Sequence, residues 1–188
     1  MVNVETLYDL FVFELQGARY VETELAEAME TLVTQSGIDS LDDRPGSAFR
    51  ERASELFRNH GDRADERANR LDDAFDALDH TVTTRDRKVP VVEALLEENE
   101  RFNNVVLDDA LRNPFYLDVA IKAEQLVVQC YESALHLADY LDVNSEVVEA
   151  LEANRDDAQN ALTESRDLDS GSEIESLFDR LAEQTPQD

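Results

Sequence analysis

The stretch "HGDRADERANRL", His60 to Leu71, decides how this chain folds. Read outward on helical spacing, it belongs to one stripe: Phe49, Ala53, Phe57, His60, Ala64, Arg67, Leu71, Phe75 and Leu78. Steps of three and four residues over that length describe one face of an α-helix from about Ser47 to Asp79. A histidine and an arginine stand where the rest of the face is apolar. Two groups able to carry positive charge are therefore directed at a core, and something there has to receive them.

The same periodicity runs through most of the chain. A first helix, about Val4 to Thr34, aligns Leu7, Phe11, Leu15, Ala18, Glu22, Leu25, Met29 and Leu32. "PVVEALLEENERFNNVV", opened by Pro90, turns Val92, Leu95, Leu96, Asn99 and Phe102 inward with a weaker pattern, as a crossover element does. A third long helix, about Phe115 to Leu141, aligns Leu117, Ile121, Glu124, Val128, Tyr131, Leu135 and Ala138. A fourth, capped by Ser145 and running from about Glu146 to Arg166, aligns Val148, Leu151, Arg155, Ala158 and Leu162. Ser172 and Glu175 have capping-box spacing and open a short terminal helix with Ile174, Leu177, Phe178 and Leu181.

"SGIDSLDDRPGS" and "HTVTTRDRK", the second containing His80, are the polar connections. Two long helices, a long crossover and two more helices predict an all-α, ferritin-like four-helix bundle with a crossover helix and a short C-terminal helix. Residues 1–166 form the bundle in this reading, and 167–188 a linker, the short helix and a tail. A coiled-coil rod fits less well, because the spacing of four recurs and the stripes mix small and aromatic residues.

The chain has 188 residues, enough for one core without metal or disulfide support. Its formal charge is −27, from 44 acids against 17 bases, and only Lys88 and Lys122 among the bases are lysines. That balance predicts a protein of a salt-loving, archaeal type, since molar salt shortens electrostatic range to about 3 Å and removes self-repulsion. It argues against DNA and RNA, which need a basic stripe to displace counterions. Cys130 is the one cysteine and has no partner for an internal disulfide. No apolar run is long enough for a membrane span, and "MVNVETLYDLF" carries acids where a secretory signal carries bases. A soluble, cytoplasmic protein is the expectation.

Each long helix places polar residues near its middle: Glu22 on the first, His60 and Arg67 on the second, Gln129 and Glu132 on the third, Arg155 on the fourth. A ferritin-like dimetal site takes four carboxylates and two histidines from such levels, because cations of this kind need several anionic oxygens converging. Here the charges are mixed, and an arginine cannot ligate a cation. Phosphate-binding glycine loops, C-x-x-C pairs and H-E-x-x-H are all missing from the sequence.

"TLYDLFVFELQGARYVETEL", "RNHGDRADERANRLDDAFDAL" and "QCYESALHLADYL" resemble the YciE/YciF-like stress-protein family, ferritin-like proteins of poorly defined function, over roughly Val4 to Leu162. In that family the second helix tends to read H-x-x-E-T before an R-L pair, and the third E-H-Y-E. This chain keeps Glu22, His60, Arg70, Leu71, Tyr131 and Glu132. It departs with Arg63 and Ala64 at the E-T positions, Gln129 and Cys130 in place of E-H, and Asn154 and Arg155 where the fourth helix usually offers acids.

The resemblance thus implies a relic metal site at Glu22, His60, Arg63, Arg67, Gln129, Glu132 and Arg155, with no catalytic, cofactor or metal-binding residues. Glu22 is expected to pair in the core with Arg67, Arg155 or both, with His60 and Gln129 completing the hydrogen bonds. Two alternatives stay open. One is a reduced iron or manganese site of Glu22, His60 and Glu132 helped by Glu124 or His136. The other is an interaction module working through its surface, for which a homodimer through helix faces is the simplest partner. Plainer readings of single residues are a Glu22 leaning into solvent, a hydrogen-bonded structural His60, a Glu132–His136 ion pair along one helix and a Cys130 that merely fills space.

Overall fold

The computed structural model describes residues 3–37, 46–78 and 87–184. They form α1 (Leu7–Ser36), α2 (Ser47–Ala77), α3 (Pro90–Val105), a 3-10 turn (Asp109–Leu111), α4 (Arg112–Ala138), α5 (Ser145–Asp169) and α6 (Ser172–Gln184). His80 and most of both polar connections lie outside the described residues.

Local chemistry sets the helix ends. The Thr6 hydroxyl accepts from the Asp9 amide at 3.0 Å while the Asp9 carboxylate accepts from the Thr6 amide at 2.9 Å, so α1 starts a little later than the apolar pattern alone implies. Asn144, rather than Ser145, caps α5, its side-chain oxygen accepting from the Glu146 amide at 3.0 Å. α4 keeps its expected length but lies earlier, starting at Arg112 and ending at Ala138, while α5 exceeds its expected span and continues to Asp169, leaving only Ser170 and Gly171 before α6. Gly46 precedes α2 with φ of 91°, a conformation that strains any residue with a Cβ, and a Cβ there would also meet Leu177 of α6 at 3.2 Å.

Side-chain pairings give the topology. Arg19 binds Asp72 while Glu22, further along α1, binds Arg67, earlier along α2, so these two helices are antiparallel. Arg63 with Glu164 and Arg70 with Asp157 make α2 and α5 antiparallel in the same way. α4 and α5 are joined by a short turn and meet at Tyr131 and Asn154. Hence α2 and α4 run in the same direction, and the chain between them must travel back along the bundle. α3 makes that return, packed against α4 and α1.

An arginine strap holds its entry. The Arg87 amide donates to the Gln16 carbonyl at 3.2 Å, its Nε to the Phe13 carbonyl at 3.0 Å, and its guanidinium lies 3.8 Å over the Phe13 ring. The guanidinium passes where a Cβ on Gly17 would stand, so the close approach depends on that glycine.

The whole α2 stripe from Phe49 to Leu78 is buried, His60 and Arg67 included. α1 follows its expected face except for Leu7, which is 41% exposed. The α5 face is rotated from expectation: Val147, Leu151, Asn154, Ala158, Ala161, Leu162, Ser165 and Leu168 are buried, while Val148 and Arg155 are half-buried. After Leu151, positions 154 and 155 both satisfy helical spacing. The carboxamide fits because the core uses its donors and acceptor, whereas a second fully buried guanidinium would need another buried acid. Ile174 and Leu177 of α6 close the base of the same core beside α2.

Candidate functional site

The stripe of α2 carries Arg67 to the middle of the bundle, where it is among the largest fully buried side chains. Its Nε donates to Glu22 Oε1 at 2.8 Å, and its Nη2 reaches Glu124 Oε2 of α4 at 3.5 Å. The Tyr131 hydroxyl of α4 donates to the same Glu22 oxygen at 2.6 Å. Asn154 of α5 donates at 3.0 Å both to the Tyr131 oxygen and to the Arg67 carbonyl. Its own oxygen accepts from Arg70 Nη1 at 2.7 Å, and Arg70 in turn binds Asp157 at 3.1 Å. One connected network therefore ties all four long helices together at a single level.

Two turns before Arg67, His60 is wholly buried with Nδ1 3.4 Å from Glu124 Oε1 and Nε2 3.7 Å from Glu164 Oε2. Arg63 covers that end with a bidentate contact to Glu164 at 3.0 and 3.1 Å. Burial pushes Glu124 up to about 8, against the pull of Arg67 and with the Glu22 charge adding to the rise. Burial also lowers His60 to about 4. Both shifts favour a neutral acid beside a neutral imidazole, so the proton of this pair sits on Glu124 at neutral pH. Among the described residues, Glu124 Oε1 and His60 Nδ1 face each other at 3.4 Å, and neither has a hydrogen-bond partner.

Burial raises Glu22 as well, while Arg67 and Tyr131 pull against it. Burial alone would lower Arg67, but Glu22 and Glu124 outweigh it and hold the guanidinium charged. Glu22 has the shorter contact with Arg67 and so carries the balancing charge. The cluster thus comprises one cation, one anion and a neutral pair.

Of the positions expected from the sequence, Glu22, His60 and Arg67 meet in the core, with Arg63 at its edge. Gln129 is instead exposed and donates to Ser133 at 3.2 Å. Glu132 and His136 are exposed on α4, the His136 ring meeting Tyr140 edge-on at 5.4 Å. Arg155 turns to its neighbour Asp156 at 2.8 Å and does not reach Glu22. Each is replaced by a residue on the truly inward face: Glu124 and Tyr131 for Glu132 and Gln129, Asn154 for Arg155. Glu124 and Tyr131 lie in the α4 stripe, while Gln129 and Glu132 match the E-H-Y-E motif from its exposed side. Cys130 is half-buried, and burial raises its thiol to about 11, so it keeps its proton.

These helices and this network define the class: an all-α, ferritin-like four-helix bundle with protein charges at its mid-plane. Residues 6–168 match the family described as "Domain of unknown function (DUF892)", and the chain belongs to that family. Among solved structures it is similar to YcfI from Rhodopseudomonas palustris, described provisionally as a structural protein, at 18% identity and a TM-score of 0.74, covering 87% of this chain and 95% of that one. It is also similar to the E. coli stress protein YciF, at 18% identity and a TM-score of 0.72, covering 93% and 99%. No curated protein matches the sequence.

Two outcomes follow from the cluster. Glu22→Gln strands the guanidinium beside a protonated Glu124 and is expected to cost about 3 kcal/mol, and adding Arg67→Met to it is expected to recover part of the loss in a double-mutant cycle followed by urea denaturation. The second concerns pH. The folded value of His60 lies below its ordinary 6.5, so its contribution is lost as pH falls from 6.5 toward 4. That of Glu124 lies above its ordinary 4.5, so its contribution is lost as pH rises from 4.5 through 8. The two slopes oppose each other between 4.5 and 6.5, and only the Glu124 slope persists from 6.5 to 8. Stability is expected to fall there by roughly 2 kcal/mol, and Glu124→Gln to remove the greater part of that decline.

Proposed function

We propose that this chain is a non-catalytic ferritin-like bundle, a structural or interaction protein of stress-associated kind, whose metal centre has been exchanged for protein charges. The observation that carries the reading is the Arg67 guanidinium, buried in the bundle centre with contacts to both Glu22 and Glu124. A metal pair in this fold draws on several anionic ligands. Here the inward acids share one arginine, Glu124 keeps its proton, and among the described residues no three His, Cys, Asp or Glu side chains gather as a metal site. These residues do not fit iron or manganese. Glu22, His60, Arg67, Glu124 and Asn154 are each 0% exposed, so no substrate reaches the groups of this cluster.

The stress-associated part of the reading comes from the description of YciF, and the structural part from that of YcfI. A high-salt cytoplasm is the proposed setting, supported by the −27 charge and the two lysines. Among the described residues no helix is long and apolar enough to cross a membrane. A homodimer through helix faces belongs to the same reading; Val105 and Leu107, at 71% and 99% exposure, are apolar surface it would cover.

Protein purified in molar salt with excess iron or manganese is expected to hold substoichiometric metal by elemental analysis. About two metal ions per chain would overturn the reading. Dilution to about 0.1 M salt, where the Debye length reaches about 10 Å, is expected to lower helicity by circular dichroism, and an unchanged melting temperature would remove the high-salt setting.

A further inference from the structure

The outer face of α4 carries polar side chains at regular spacing: Asp118, Lys122, Gln125, Gln129, Glu132 and His136. Steps of four and three residues keep this row on one side of the helix over about 27 Å. Asp118 is half-buried and the others are exposed. The face is poor in acid for this chain. Besides buried Glu124, α4 holds only Asp118 and Glu132, where α5, of similar length, holds eight acids. A face shaped by solvent alone would share the excess of the whole chain, 44 acids against 17 bases, whereas surfaces buried between subunits are depleted in charge.

The order of the charges says more than their number. A two-fold axis perpendicular to α4 at the level of Val127 sets the row antiparallel to its own copy. Asp118 then stands opposite His136 of the second copy, Lys122 opposite Glu132, and Gln125 opposite Gln129, each pair occurring twice. Every acid of the row meets a side chain that can donate, and the central carboxamides both donate and accept. A parallel pairing would set Lys122 against Lys122 and Glu132 against Glu132. Lys122 Nζ holds Asp118 of its own helix at 2.7 Å and has two further protons for the second carboxylate. Leu126 and Leu137, half-buried, flank the row, and Tyr140, 70% exposed just beyond α4, falls opposite Pro114. Molar salt screens the repulsion between two chains of −27 beyond about 3 Å, while ion pairs closed off from solvent are screened far less. We infer that this face of α4 is a two-fold interface with a second copy of this chain, paired antiparallel about Val127. The inference rests on the homodimer reading above and assigns its contact.

The test follows association of the full chain in molar salt by sedimentation and light scattering, for the unmodified protein, Lys122→Glu and Glu132→Lys. The unmodified chain is expected to be a dimer. Each variant alone sets like charges opposite each other twice, and its dimer is expected to be roughly a hundredfold weaker. Mixed in equal amounts, the two variants complement each other at both contacts and are expected to form a heterodimer of unmodified affinity. Loss of the Asp118–Lys122 pair within one helix would not be repaired by mixing. Circular dichroism checks that each variant is folded; where one is not, Asp118→Lys and His136→Glu make the same exchange at the outer contact. A monomeric unmodified chain overturns the homodimer reading and this contact together. An unmodified dimer whose folded variants also dimerise overturns the α4 contact alone, and so does a mixture of folded variants that stays monomeric.

Discussion

A guanidinium taken fully out of water loses hydration worth several kcal/mol, and a bundle that buries one has to supply an anion at contact distance. Arg67 finds Glu22 at 2.8 Å, and much of the interior follows from that pairing. Glu22 needs a further donor, which is Tyr131; the tyrosine oxygen needs one in turn, which is Asn154; and Asn154 also satisfies the carbonyl of Arg67. Each helix is thereby tied to a definite rotation and level, because a turn of one helix by a single residue would break contacts on two others. The rotation of α5, with Asn154 inward and Arg155 outward, is the clearest result.

The second carboxyl shows how the bundle limits its charge. Glu124 lies close enough to Arg67 to be held, yet a second buried anion would leave the centre net negative. Its proton, placed beside an imidazole too deeply buried to charge, keeps that pair neutral. Buried ionic groups of this kind contribute less to net stability than an apolar core of equal volume and more to choosing one arrangement among many. For a protein whose proposed role is structural, a single well-defined arrangement is the useful property.

Much of the fold is legible in the residues because α2 has an almost complete stripe, Phe49 to Leu78, and α1 nearly matches it. Such patterns report burial directly. The ion pair was legible too, since Glu22 and Arg67 are polar interruptions in strongly apolar faces. What could not be read was the choice between positions 154 and 155, both of which satisfy helical spacing; hydrogen bonds from α2 and α4 decide it, and these belong to partners distant in sequence. Glu124 stands on the apolar stripe of α4, whereas Gln129 and Glu132 of the family motif lie on the exposed side of that helix. Helix ends shifted for local reasons, the side-chain caps of Thr6 and Asn144, which a hydrophobic pattern does not register.

The parallel course of α2 and α4 divides the molecule into two local hairpins, α1 with α2 and α4 with α5, joined by the long return through α3. Contacts inside each hairpin close short loops, while those between them close a long one, so the hairpins are the natural units of assembly. The charges are distributed accordingly. Glu22 and Arg67 both belong to the first hairpin, and the second contributes a tyrosine, a carboxamide and Glu124, whose carboxyl keeps its proton only once it is buried. Joining the two hairpins therefore takes the Glu124 carboxyl out of water and is coupled to the uptake of a proton at neutral pH.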